Sequence, residues 1–335
     1  MSSTSAIFIA GNSRSGTTMM GRVLGNNEKV FTFHELHFFE QLWDPGKEAE
    51  DLSKENAAHL YSKLISLQRQ GYLQQRTPTI FFEEAKKAIE QIEKRLWQPF
   101  VFEQFLLSES RINKKQIPCE QTPRNVFFIN EILELYPQAK VVCMVRDPRD
   151  ILLSQKNKWK RRFLGAKTIP LKESIRSWVN YHPITMSKLW NSSASKIVAA
   201  KNKERVYVIK FESLIKNPEE TVASLCTFLG LNYDARMLSV PQVGSSTGSD
   251  NPESKGISKE KTGNFIKGLN ASEIFYCQQI TKNFRKQFGY DDINISKNYL
   301  MIAWYAFSFP VKIFFALLLN LKRTRNLIDT IKRRF

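Results

Sequence analysis

A short apolar run, Ala6-Ile7-Phe8-Ile9-Ala10, breaks into Gly11-Asn12-Ser13-Arg14-Ser15-Gly16-Thr17-Thr18, and a helical pattern follows from Met19 to Leu24. Strand, glycine-bounded loop and helix together make a phosphate cradle. Backbone N–H groups converge on an anion, and the helix N-terminus adds partial positive charge. The spacing Gly11-x4-Gly16 fits the ATP-type loop GxxxxGK[ST], but Thr17 stands where that loop carries its lysine, and the cation has moved forward to Arg14. The loop therefore suits a phosphate and suits ATP with magnesium poorly. Gly11 and Gly16 also permit a tight turn, which is compatible with the phosphate role.

Two further segments carry chemistry. Arg146-Asp147-Pro148-Arg149-Asp150 ends the apolar run Ala139–Val145, and Ser154 lies eight residues after Arg146, about two turns into the next helix. A guanidinium and a hydroxyl so placed can grip a second phosphate, because arginine favours forked contacts to oxyanions. Glu35 follows the short apolar stretch Val30–Phe33 and falls at the same sheet edge as the cradle. Two phosphate grips and one carboxylate, with no metal-ligand set, fit a donor bearing two separated phosphates and a carboxylate that takes a proton from an acceptor hydroxyl.

The elements that must hold these groups alternate. Strands are predicted at 6–10, 30–33, 139–145 and 206–211. Helices follow the cradle, run over 125–135, follow Arg146, and open at Asn217-Pro218-Glu219 to continue through Leu229. The continuous apolar strands suit a parallel sheet covered on both faces. The expected fold is α/β: a P-loop-containing three-layer architecture with a central, mostly parallel sheet flanked by helices, and ligands at the strand C-terminal ends. Residues 1–295 read as one catalytic domain, with a helical insertion over 48–116 that is partly exposed. Glu120-Gln121-Thr122-Pro123-Arg124 reads as a turn with Thr122 as a helix cap. Residues 244–263 have no period and carry Lys255, Lys259 and Lys261. They are either a flexible surface loop or a lid over the nucleotide.

The net charge of +18 suits a nucleotide, a polyanionic acceptor, nucleic acid or an anionic membrane without choosing among them. No nucleic-acid recognition motif is present, so nucleic acid is not an expected partner. Cys119, Cys143, Cys226 and Cys277 are far apart and form no CxxC pair; Cys143 and Cys226 sit in apolar runs as buried thiols. With no signal-peptide pattern at the N-terminus, a reducing, cytoplasmic compartment is the expectation.

Residues 296–335 form an apolar and basic tail. Tyr299–Leu321 is long enough for a bilayer span of ~20 residues. Pro310 and Lys312 near its middle, and the basic run Lys322–Arg334 beyond it, argue against a crossing. An amphipathic helix lying on an anionic membrane through residues 299–335 fits better; a helix docked on the body is the other placement.

Four segments in register resemble sulfotransferases that use 3′-phosphoadenosine 5′-phosphosulfate (PAPS). Ser13–Thr18 is similar to their 5′-phosphosulfate loop, and Val145–Asp150 with Ser154 to their 3′-phosphate segment. Glu35-Leu36-His37-Phe38-Phe39 is similar to the catalytic-glutamate segment of the heparan-type and tyrosylprotein branches. Phe211-Glu212-Ser213-Leu214, Asn217-Pro218-Glu219 and Phe228-Leu229-Gly230-Leu231 resemble the later strand-and-helix block. The resemblance spans roughly residues 5–270. It implies PAPS as co-substrate, no metal, and a hydroxyl or amine acceptor, most simply a carbohydrate or glycoconjugate, with protein tyrosine as the alternative.

It implies further that Arg14, Ser15, Gly16, Thr17 and Thr18 hold the 5′-phosphosulfate, Arg146 and Ser154 the 3′-phosphate, and that Glu35 is the general base. Phe211 packs near the adenine, and Lys255 with Gly256, or Lys259 with Lys261, closes over the 3′-phosphate. His37, which flanks Glu35, orients the acceptor, tunes Glu35, or is structural. Relatives often carry lysine where this chain has Gln121, so that cation is either missing or comes from elsewhere. A P-loop kinase and a non-catalytic polyanion binder are the competing readings.

Overall fold

A computed structural model of the chain describes residues 5–47, 50–72, 80–164, 166, 169–242, 251–258 and 262–320. β1 (Ile7–Gly11) is buried along its length and leads through the cradle into α1 (Thr17–Gly25) and β2 (Val30–Thr32). Three helices fill the next stretch, α2 (Lys54–Gln70), α3 (Phe82–Glu90) and α4 (Gln98–Ile112). Then come β3 (Ile117–Glu120), α5 (Ile129–Leu135), β4 (Lys140–Val145) and α6 (Pro148–Lys156). A 3-10 turn over Lys158–Leu164 precedes α7 (Leu171–Asn180), α8 (Pro183–Ala200) and β5 (Val206–Lys210). The chain continues through α9 (Phe211–Lys216), α10 (Pro218–Leu229), the strands β6 (Pro241–Gln242) and β7 (Asn251–Lys255), α11 (Phe265–Gly268), α12 (Ala271–Gln287) and α13 (Tyr299–Asn320).

The five strands β2-β3-β1-β4-β5 form one sheet in that order, and every pairing is parallel. Such a sheet needs cover on both faces. One face packs Phe8, Phe33, Phe102, Phe105, Leu64 and Trp190; the other packs Ile9, Val23, Leu24, Val142, Leu214 and Leu225. The α/β architecture expected from sequence is therefore present. β1 and β4 are neighbours, with Gly11 opposite Met144, so the cradle and the Arg146 segment leave the sheet side by side.

Three local expectations change. β3 (Ile117–Glu120), where the sequence predicts no strand and Glu120 reads as part of a turn, is an inner strand between β2 and β1. Thr122 occupies the N-cap position of a short 3-10 turn (Pro123–Phe127) but does not cap it; its hydroxyl donates to the Glu120 carboxylate and accepts from the His37 N–H. Within the predicted 244–263 loop, residues 251–255 pair antiparallel with β6, whereas Lys259 and Lys261 lie outside the described residues, as does the basic run from Lys322 to Arg334. The helices of the 48–116 stretch also bury Leu64, Ile65, Phe102 and Phe105 in the main core. All four cysteines are buried free thiols.

Candidate active site

The cradle is built by close backbone approach. A side chain at Gly11 would meet the Met144 carbonyl oxygen at 2.5 Å. Gly16 has φ 98° and would place a Cβ 2.5 Å from Cδ2 of the Phe211 ring. Both constraints at Gly16 point one way. Gly16→Ala is expected to cost about 1–3 kcal/mol from backbone strain alone, read as a lower urea midpoint, together with a weakened anion site. An unchanged midpoint would mean that the loop relaxes freely.

α1 starts at Thr17 with no side-chain cap and no acidic residue in its first turn, which leaves its first N–H groups for an anion. The Ser15 hydroxyl oxygen is buried and has no hydrogen-bond partner among the described residues. A buried polar atom without a partner is costly, and an anion oxygen in the cradle would satisfy it. The residues present thus fit a phosphate or phosphosulfate group.

Arg14 sits in the left-handed region at φ 76°. Its Nε donates to Ser154 Oγ at 2.9 Å, and its carbonyl accepts from Arg146 Nη1 at 3.2 Å. The Arg146 guanidinium lies 4.4 Å from the Phe211 ring centroid, a cation–π distance. Arg14, Gly16, Arg146, Ser154 and Phe211 therefore form one cluster at the C-terminal ends of β1, β4 and β5. Asp150, Glu212 and Asp147 face the buried Arg146 with opposing charge, and two of them have further partners. Asp147 pairs with Arg149, and Asp150 accepts from the N–H groups of Gly263 and Phe265. Trp190 Nε1 donates to the Arg146 carbonyl at 3.0 Å and pins the strand end. Lys255 and Gly256 are placed on the β6–β7 ribbon, where the Gly256 N–H donates to Val240. The described contacts do not tie them to the cluster.

Glu35 lies past β2 with its side chain 40% exposed. His37 Nε2 is 3.4 Å from Glu35 Oε2, and His37 Nδ1 is 3.4 Å from Glu40 Oε2. Glu40 in turn pairs with Arg124. His37 has φ 51°, lies 4.7 Å from the Tyr72 ring and is held by its backbone N–H on Thr122. Burial works to raise the Glu35 pKa, but the hydrogen bond and charge of His37, with Lys158 and Arg124, hold it below the usual glutamate range. Burial works to lower the His37 pKa, and its two carboxylate partners outweigh that and raise it.

A histidine with a raised folded pKa contributes stability that is full below its unfolded value of ~6.5 and is lost as pH rises through the folded value. Urea unfolding of the parent and of His37→Gln is therefore expected to differ more at pH 6 than at pH 8.5. An equal difference at both would show that His37 does not gain its proton through these carboxylates.

Two residues of this site were not found by reading the sequence. Glu120 is buried and accepts from the N–H groups of Leu36 at 3.2 Å and Thr122 at 3.1 Å, so it fixes the loop carrying Glu35. Lys158, half-buried at the start of the turn after α6, has its pKa pushed down to about 8. Burial is the first cause and the charge of Arg14 the second; Glu35 opposes them, and Arg176 and Arg124 add to the lowering. It is thus within electrostatic reach of both the cradle arginine and the carboxylate. Gln121 supplies no charge here; its side chain packs toward Gly21 of α1.

The Sulfotransferase family profile matches residues 6–235. A "Putative protein-tyrosine sulfotransferase" of Caenorhabditis briggsae is 23% identical over 193 residues, 55% of this chain and 64% of that protein. A 3-beta-hydroxysteroid sulfotransferase of Cavia porcellus is 25% identical over 122 residues, 36% of this chain and 39% of that protein. The matched stretch thus spans less than two thirds of these relatives. Among solved structures, the sulfotransferase domain from the curacin biosynthetic pathway superposes with a TM-score of 0.53 at 17% identity, over 86% of this chain and 98% of its own. At that identity the likeness is one of fold.

Proposed function

The chain belongs to the sulfotransferase family, and from that premise we propose that it transfers the sulfuryl group of PAPS to an acceptor hydroxyl or amine. The observation that carries this reading is the hydrogen bond from Arg14 Nε to Ser154 Oγ, with Arg146 bonded to the Arg14 carbonyl. It merges the cradle and the second anion grip into one site for a nucleotide with two separate phosphates. When bound, PAPS supplies an activated sulfuryl group and departs as adenosine 3′,5′-bisphosphate.

The protein's own residues do the rest. The Gly16, Thr17 and Thr18 N–H groups and the Ser15 hydroxyl hold the 5′ group, the Ser15 N–H being spent on the Asn12 carbonyl, while Arg146 and Ser154 hold the 3′-phosphate beside Phe211. Glu35, kept ionised by its neighbours, accepts the proton of the acceptor. His37 is a positioning residue that holds one Glu35 oxygen and leaves the other to the acceptor. Arg14 and Lys158 put positive charge where negative charge develops, which is worth most when fixed in advance. Lys158 serves as the cation that Gln121 lacks.

The acceptor class is less constrained than the donor. The glycan reading rests on the Glu35–Phe39 segment. The relatives' names speak instead of protein tyrosine and a hydroxysteroid. A hydroxyl is common to all three.

Calorimetric titration with adenosine 3′,5′-bisphosphate, beside ATP with magnesium and adenosine 5′-phosphate, tests the donor. Clear preference for the bisphosphate is expected; preference for ATP with magnesium would replace the reading with a kinase. Repeating the titration at pH 8 in buffers of different ionisation enthalpy should reveal proton uptake. An anion beside Lys158 raises a pKa that starts near 8. Lys158→Gln should abolish the uptake, and uptake that persists would move the proton to another group.

A further inference from the structure

α13 presents two opposite stripes. One is bonded to the body. The Ile302 carbonyl accepts from Tyr276 Oη at 2.7 Å, Tyr305 Oη accepts from Asn270 at 3.1 Å, and Ser308 meets His182 Nε2 at 3.4 Å. Lys312 lies 4.1 Å from the Trp178 ring centroid, and Asn320 bonds Arg176 at 2.8 Å and Asn180 at 2.9 Å. The other stripe is Leu300, Trp304, Phe307, Val311, Phe314 and Leu318, spaced by alternating steps of four and three. Each is half or more exposed, Leu300 and Phe307 above 80%. It is an apolar ridge ~27 Å long at 1.5 Å per residue. Phe163, Leu171, Ile175 and Trp178 are similarly exposed, and they lie on α7, against which α13 packs, and on the turn before it. Exposed apolar surface of this extent marks an interaction site.

The charge around the ridge indicates what covers it. Among the described residues, 158–180 and 296–320 hold eight lysines and arginines against Glu173, a balance of +7, and the sequence from 321 to 335 adds six more cations against Asp329. A second copy meeting this face would bring equal positive charge against it. An anionic bilayer offers hydrocarbon for the ridge and negative headgroups for the cations. A crossing would require α13 to abandon six side-chain anchors from Tyr276 to Asn180. The same turn and helix that carry Phe163 and Trp178 also carry Lys158 and Arg176, which share one electrostatic field with Arg14 and Glu35.

The geometry points to an interfacial enzyme: the α13–α7 face seats on an anionic bilayer, and the acceptor hydroxyl belongs to an amphiphile held in that bilayer. The seat stands on the ridge alone, while the acceptor half rests on the proposed sulfuryl transfer.

The test floats the full chain with phosphatidylcholine vesicles, with and without phosphatidylglycerol. The parent is expected to rise with the anionic vesicles and to be released by high salt. The double variant Phe307→Asp/Phe314→Asp should lose at least about tenfold in partitioning while binding adenosine 3′,5′-bisphosphate like the parent, which shows that it folds. Quenching of the parent's tryptophan fluorescence by brominated acyl chains checks the seat without any variant. Failure of the parent to float, equal partitioning of the variant, or a dimer in sedimentation that the variant breaks would overturn the seat. With labelled PAPS and vesicles of total membrane lipid, label is expected in the lipid extract and should fall with the variant. No lipid label from protein that binds both nucleotide and vesicles would overturn the acceptor half. Loss of nucleotide binding in the parent would count against sulfuryl transfer and leave the seat standing.

Discussion

Glu35→Gln is expected to lower sulfuryl transfer by about 10²–10⁴-fold, the usual worth of a positioned general base, with little change in affinity for adenosine 3′,5′-bisphosphate. The substitution is nearly isosteric, so the His37 contact at 3.4 Å keeps a polar partner. What it removes is the atom that accepts the proton. Nucleotide affinity should hold because the groups that grip the phosphates lie in the Arg14–Arg146–Ser154 cluster. Single-turnover assays with labelled PAPS, beside calorimetry, separate the two effects. Full residual transfer would remove Glu35 as the base, and a parallel loss of nucleotide binding would place its role in holding the cradle.

Arg146→Ala is expected to weaken adenosine 3′,5′-bisphosphate by roughly 10–150-fold, because a hydrogen bond to a charged group is worth about 1.5–3 kcal/mol. Adenosine 5′-phosphate should suffer less, though not escape entirely. The Arg146 guanidinium bonds the Arg14 carbonyl and stacks on Phe211, so its loss also loosens the cradle. Arg146→Lys would keep the charge without the planar stack and fork, and it should fall between the two. Equal weakening of both nucleotides by Arg146→Ala would put Arg146 away from the 3′-phosphate. Titrating the two nucleotides against parent and variants settles the assignment.

Local patterns made the parallel sheet and the nucleotide cluster readable. β1 and, apart from Lys140, β4 are continuous apolar runs ending in a glycine loop and in an arginine followed by an Asp-Pro cap, signals complete within about a dozen residues. β3 gave no such signal. It has four residues, one of them Pro118 and another the buried Glu120, and what makes it an inner strand is its pairing with β2 and β1. Tertiary context overrides propensity in strands this short. Glu120 was invisible for the same reason, since its partners are the N–H of Leu36, a residue 84 positions away, and its own turn. Lys158 was missed because its place depends on where α6 ends and on how the following turn folds back, which no spacing from Arg14 or Glu35 encodes. Thr122 was misread because a threonine before proline looks like a cap, while here Glu120 and His37 claim its hydroxyl.

The four buried thiols give the molecule a clean chemical background. Burial raises the pKa of every one of them, Cys143 and Cys277 to about 12, and only the thiolate attacks an alkylating reagent. A cysteine introduced at Leu300 or Phe307, where the native side chains stand above 80% exposed, would therefore be the position that a maleimide finds first. The native chain can carry a spin label or fluorophore on the α13 ridge with its own cysteines left in place.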